Sequence, residues 1–269
     1  MKIKLIKIAA LALIAAAITA CAALPEEEQA WLIMPEGIGE RRGTAGMPAA
    51  GSLTVAYNAN MGYFMEDAPQ TAYEVSPRYA ETMAINQDVI GWIKIPGTRI
   101  DYPVFYSGEN DRYLDHDMYG KKSSKGSIFM DMHNSGALLD KNTYIHGHNM
   151  KDGSMFADLI KYKNKAFFES HKTIEFSNLY SDMVWEVFAV YVVPADNHFI
   201  RVMFLSDSDF LRWVGRIGEA ALIKTDYKPT KDDYILTLNT CSNEYANAHT
   251  IVHAYLVSKT DHLREKGEG

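Results

Sequence analysis

The sequence predicts a mostly β fold, a barrel of short strands with one helix at its entry and one helix ahead of its last two strands. Three observations predict it. Apolar residues alternate with polar or small ones at Ile100, Tyr102 and Val104, the period of a half-buried strand. The stretch 184–193 is dense in Val, Phe, Trp and Tyr, types that suit a pleated surface. Many such short runs are separated by turn-formers, whereas helical periodicity is confined to a few segments. With 269 residues, 47% hydrophobic and 23% charged, the composition is that of a globular chain able to bury a core.

In chain order, 72–85 reads as a helix ended by Asn86-Gln87-Asp88, and 89–95 as the first strand. Pro96-Gly97 is a turn pair with glycine where a type II turn needs positive φ, so 89–95 and 100–104 make a hairpin. Short strands follow at 126–130 and 142–146, then a helix over 154–162 with Met155, Leu159 and Ile160 on one side. Strands are expected at 173–176 and 184–193. Ser206 with Asp209 forms an acidic capping box that opens a helix through 222. Its stripe of Phe210, Trp213 or Val214, Ile217 and Ala221 reads as core. The last strands are 233–240 and 251–257.

The start of the chain points outside the cytoplasm. Lys2, Lys4 and Lys7 precede an apolar run over 8–24, and Glu26, Glu27 and Glu28 follow it. Three fates fit: a retained anchor, a cleaved signal peptide, or a lipoprotein signal in which Ile18-Thr19-Ala20-Cys21 is the lipobox. Residues 25–70 lack sustained periodicity and read as a linker or stalk. Residues 71–262 are then the exported domain. A formal charge of −7 argues against a nucleic-acid partner.

Of two cysteines, Cys21 lies in the export segment, which leaves Cys241 alone in the exported body. An unpaired thiol there is either inert and buried or reactive. Cys241 ends a strand, where a side chain can face a groove from a rigid backbone. A nucleophilic thiol needs a neighbour that favours thiolate, usually histidine. His148 lies just past another strand end, after Gly147, which lets the chain turn and aim the ring inward.

Leu236-Thr237-Leu238-Asn239-Thr240-Cys241 resembles the sortase signature around the nucleophile, and Tyr144-Ile145-His146-Gly147-His148-Asn149-Met150 resembles the segment that supplies the catalytic histidine. The class B pattern is matched in order by 86–92, 95–98, 100–104, 112–117 and 126–131, and by a long insertion, 198–228, before the cysteine strand. The resemblance covers roughly 86–257. It implies an eight-stranded sortase-type β-barrel and an extracellular cysteine transpeptidase of class B type. Such an enzyme cuts a C-terminal sorting signal of the Asn-Pro-x-Thr type after Thr, holds the acyl group on Cys241 as a thioester, and passes it to an amine of a cell-wall precursor or pilin. The implied partners are a surface protein bearing the signal, that amine donor, and the membrane through the N-terminus, on the outer face of a Gram-positive-type cell. No cofactor is implied.

One position departs from the family. Where sortases carry an arginine on the strand after the cysteine, this chain has His249. An imidazole offers fewer donors than a guanidinium, which is always charged. His249 is expected to substitute as a donor; Arg201, in the insertion, is the competing candidate. The third explanation is an impaired module that binds sorting signals without turning them over. Asn239, Thr240, Arg201 and Asn110 complete the expected set as substrate-binding residues. His146 is read as a wall of the groove. A Cys241-His146-His148 metal site is the remaining rival, because residues two apart on a strand share a face.

Overall fold

The computed structural model describes residues 74–136, 139–194, 200–242 and 246–263. The expected export segment and linker lie outside these residues. Among them no helix is long and apolar enough to cross a membrane.

Eight strands close into a barrel: β1 (Val89–Lys94), β2 (Asp101–Phe105), β3 (Ile128–Met130), β4 (Asn142–His146), β5 (Thr173–Asn178), β6 (Ser181–Pro194), β7 (Ile235–Ser242) and β8 (Ala248–Asp261). Their order around the barrel is β1-β2-β3-β4-β7-β8-β6-β5, and β5 pairs back onto β1. The β2/β3 and β4/β7 contacts are parallel and the rest antiparallel. The expected β1–β2 hairpin is present, with Gly97 at φ +80°. The barrel interior is filled by Ile93, Val104, Ile145, Phe176, Trp185, Leu236, Leu238 and their neighbours. Trp185 is fully buried and spends its indole N–H on the Phe176 carbonyl at 3.0 Å, so its large apolar area is buried at no polar cost.

Among the described residues, four α-helices decorate the barrel: α1 (Ala80–Ile85), α2 (Asp111–Leu114), α3 (Lys165–Ser170) and α4 (Asp207–Ala220). Ser206 caps α4 by accepting from the Asp209 N–H at 3.2 Å. The stripe of α4 is core as expected: Phe210, Val214, Ile217 and Ala221 pack with Phe188 and Ile235 in a second apolar cluster outside the barrel.

Several elements differ from expectation. The helix expected over 72–85 is, among the described residues, a 3-10 turn over Pro77–Tyr79 that leads into α1. The helix expected over 154–162 is a 3-10 helix over Ala157–Lys163. It begins late because Met155 sits at φ +56°, outside the right-handed helical region. A separate α3 follows because the Asn164 side chain accepts from Ala166 N and Phe167 N and starts a new helix. Strands β6 and β8 run well past their apolar cores, since they pair with each other from Ser181↔Asp261 to Pro194↔Ala248. Finally, β7 continues through Cys241 to Ser242, so the cysteine lies inside the ladder rather than beyond it.

Candidate active site

Two strand pairings build the site. In the parallel β4/β7 ladder His146 lies beside Asn239. In the antiparallel β7/β8 ladder Cys241 lies directly opposite His249. Side chains two apart on a strand share a face, and so do direct partners across strands. Thus His146, Asn239, Cys241 and His249 project from the same face. The β4/β7 contact then continues beyond the ladder. Gly147 N–H donates to the Asn239 carbonyl at 3.1 Å, and the Thr240 hydroxyl donates to the Gly147 carbonyl at 2.7 Å. Carried forward by one more residue, this register brings the backbone of His148 beside that of Cys241.

Gly147 is needed for that path. A Cβ there would lie 2.5 Å from Ile128 Cδ1 and 2.7 Å from two ring carbons of Phe156. His148 itself is tied down at two points. Its carbonyl accepts from Phe156 N–H at 2.8 Å, and its Nε2 donates to the Leu114 carbonyl at 2.7 Å. Cys241 is a free, exposed thiol. The protein around its sulfur is dense enough that burial pushes the thiol up from its ordinary value. Its polar neighbour is His249, with Sγ and Nε2 4.0 Å apart. No hydrogen bond joins Cys241 to His148 among the described residues, although the fold brings their backbones together.

Behind this pair lies a buried carboxylate that the sequence reading did not assign. Asp131 follows β3 with no exposed surface. Its Oδ2 faces His146 Nε2 at 2.8 Å and accepts from Asn110 Nδ2 at 2.9 Å. Its Oδ1 faces His133 Nδ1 at 2.6 Å. Burial opposes ionisation of Asp131, but the bonds from His146 and from the backbone and ring of His133 outweigh it, and the carboxyl is held well below its usual range. His146 is therefore more than a wall of the groove: Nε2 meets Asp131 and Nδ1 meets Asn239 Nδ2 at 3.3 Å. The other end of that amide, Oδ1, lies 2.8 Å from His249 Nδ1. Burial, with the nearby His146 ring adding to it, pulls His249 below its ordinary value.

The expected substrate-binding residues all have partners inside the protein. Asn110 spends both ends of its amide inside the protein, on Asp131 and on Met132 N–H. Asn239 is likewise engaged by His146 and His249, and Thr240 by Gly147. These three hold the site together. Arg201 is not brought to the thiol. Its guanidinium pairs with Asp209 and stacks on Phe204, and its carbonyl accepts from Asn142 Nδ2 at 2.7 Å. Asn142 pairs with Ile235, at the far end of β7 from Cys241 and about 20 Å away at a rise of about 3.3 Å per residue. The Cys241-His146-His148 metal set does not form either: His146 spends Nε2 on Asp131, and no three His, Cys, Asp or Glu side chains gather as ligands among the described residues. Of these groups, Asp131 left a trace in the sequence, as a lone carboxylate ending the apolar run Ile128-Phe129-Met130.

An exposed thiol on the rim of a closed eight-stranded barrel, with the His249 imidazole beside it and the His148 segment alongside, is an arrangement suited to thiol-dependent acyl transfer. The sortase domain family model matches residues 93–257. The chain is 38% identical to sortase B of Listeria monocytogenes over 188 residues, 69% of this chain and 76% of the relative. It is 37% identical to sortase B of Staphylococcus aureus over 172 residues, 64% of this chain and 70% of the relative. Among solved structures, the S. aureus sortase B–substrate complex matches with a TM-score of 0.64 at 35% identity, covering 69% of this chain and 87% of that one. A Bacillus anthracis protein described as similar to sortase B matches with a TM-score of 0.65 at 35% identity, covering 74% and 90%. The chain belongs to the sortase family, as a class B cysteine transpeptidase. These matches do not favour the binding-only alternative.

Proposed function

We propose that this transpeptidase works at the outer face of the cytoplasmic membrane. Residues 1–24 deliver or anchor it and residues 25–70 act as its stalk. It cleaves an Asn-Pro-x-Thr-type sorting signal after Thr. The Cys241 thiol gives its proton to a flanking histidine as its sulfur attacks the Thr carbonyl carbon, and the C–N bond breaks. The leaving amine takes a proton from His148, and a thioester remains on Cys241. An amine of a cell-wall precursor or pilin then attacks the thioester, His148 takes the proton that this amine sheds, and the sulfur leaves. His249 occupies the arginine position and supports the carbonyl oxygen as charge develops there.

The observation that carries this reading is the exposed Cys241 thiol held in a strand ladder beside the His148 segment. A sorting-signal peptide should leave a hydroxylamine-sensitive adduct on Cys241, detected by mass. Absence of any adduct with wild-type protein and several such peptides would overturn the reading. His249→Ala should slow adduct formation by about a hundredfold, the usual effect of losing an oxyanion donor.

A further inference from the structure

We propose that His249, rather than His148, is the base that takes the Cys241 thiol proton, and that Asp131, His146 and Asn239 act through a chain of hydrogen bonds to set the tautomer that allows it. The proposal rests on the transpeptidase reading for its biological meaning. Its geometry stands independently.

The chain has one polarity, fixed from its buried end. The Asp131 carboxylate can only accept, so His146 Nε2, 2.8 Å from Oδ2, carries a hydrogen. His146 Nδ1 then presents a lone pair. The group facing it, Asn239 Nδ2, can only donate, at 3.3 Å. The same amide turns its oxygen, which can only accept, toward His249 Nδ1 at 2.8 Å, so that nitrogen carries a hydrogen. His249 Nε2 is left with a lone pair, and it points at Cys241 Sγ 4.0 Å away. Every donor in the series meets an acceptor, and the open lone pair falls on the nucleophile. His148, with its Nε2–H on the Leu114 carbonyl, also keeps a lone pair at Nδ1, but among the described residues no hydrogen bond joins its ring to Cys241, whereas His249 Nε2 meets the sulfur.

The charge balance of the pair agrees. Burial raises the thiol, while burial and the His146 ring lower His249. The resting pair is therefore thiol and neutral imidazole, as a general base requires, and not a preformed ion pair. Among the described residues, the titratable groups that face His249 are Cys241 across the β7/β8 ladder, and His146 with Asp131 behind the Asn239 amide.

In the step proposed, the S–H bond breaks and its proton forms an N–H bond at Nε2. The sulfur keeps the electron pair and uses it to attack the Thr carbonyl. The proton is on His249 while the sulfur attacks, and the sulfur regains a proton when the acceptor amine displaces it. While it holds that proton His249 is an imidazolium beside the reacting carbonyl. This is how one residue can serve as base and then as the charged donor that an arginine supplies elsewhere in the family. Asp131, His146 and Asn239 touch no reacting atom and are positioning residues.

The test reads the thiol without any substrate. In full-length protein, Cys241 alkylation by iodoacetamide is measured across pH. Wild type is expected to show two limbs, the lower one following His249. His249→Gln should leave a single limb at the raised thiol value, with a rate near neutrality at least about tenfold lower. His148→Gln should leave both limbs in place while still blocking acyl-adduct formation from a sorting peptide. Asn239→Ala should weaken the lower limb without changing circular dichroism, and His146→Gln provides a second break in the chain should Asn239→Ala fold poorly. Nitrogen chemical shifts of 15N-histidine protein should place the neutral His249 proton on Nδ1. The inference is overturned if His148→Gln removes the lower limb while His249→Gln retains it, or if the proton is found on Nε2. Failure of wild type to form a peptide adduct would count against the transpeptidase reading alone, since alkylation still reports on the pair.

Discussion

Cys241 is approached from two sides that are built differently. On the β8 side, His249 is placed by a strand ladder and braced through Asn239 and His146 to a carboxylate with no exposed surface. On the β4 side, His148 has left the ladder. It is placed by a glycine, two backbone hydrogen bonds to its segment and one carbonyl contact, and it remains solvent-accessible. The difference teaches how a fold divides precision from access. A ladder fixes a side chain to within a fraction of an ångström and suits a group that must meet the sulfur in every turnover. A loop end leaves a ring able to reach a leaving amine and then an incoming one.

The comparison breaks most severely if the sulfur both sides serve is dispensable. Cys241→Ala should abolish acyl-adduct formation outright. Retained cleavage in that variant, measured by peptide chromatography, would show that both histidines serve another nucleophile. The next largest effect belongs to the loop side. His148→Ala should lower kcat by about 10² to 10⁴, the range for a lost general acid–base group, with a small change in KM. A loss confined to KM would place His148 in binding instead.

Two further changes sharpen the contrast by disturbing each side from behind. Gly147→Ala forces a Cβ against Ile128 and Phe156, which should cost about 1–3 kcal/mol as overpacking and lower kcat through displacement of His148. Calorimetry with a kinetic assay reads both. On the ladder side, Asp131 has its folded-state value depressed below the unfolded value of about 3.9. Its contribution to stability is thus fully present above that value and is lost as pH falls through it toward the folded value. Urea midpoints for wild type and Asp131→Asn should differ most at neutral pH and converge below about pH 4. A difference that stays constant to pH 3 would mean that Asp131 contributes by packing and not by charge.

Much of this was legible in the sequence, for reasons that vary with the element. Strands such as β2 and β7 showed because alternation and β-branched content are local signals. The ends of β6 and β8 did not show, because Ser258, Lys259 and Thr260 are polar and exposed and are held in strand only by their distant partners. The 3-10 helix over Ala157–Lys163 was read as an α-helix because its apolar spacing suits both, and nothing in the residue type of Met155 announces a positive φ. At the site, the candidates Cys241 and His148 came from motifs. The role of Asp131 was hidden because it depends on the β3–β4–β7–β8 neighbour order, which no local pattern encodes. Arg201 was a candidate because it lies in the insertion; its partner Asp209 lies in the same insertion, a pairing that no local pattern announced.

That last residue gives the smallest expected effect and the cleanest boundary to the site. Arg201 and Asp209 are partly shielded, and Asp209 also accepts from Leu205 N–H at 3.1 Å next to the Ser206 cap. Removing the guanidinium should therefore loosen the entry to α4, at a cost of about 1 kcal/mol or less for a pair near the surface. With the Arg201 backbone beside Asn142, a strand's length from Cys241, kcat and KM should both stay within about twofold of wild type, because effects at sites this far apart are nearly independent. If Arg201→Ala instead abolished acyl transfer while His249→Ala left it intact, the insertion would have to fold over the barrel rim when substrate binds. The arginine role would then pass from β8 to the insertion, and the precise side of the site would be the one that moves.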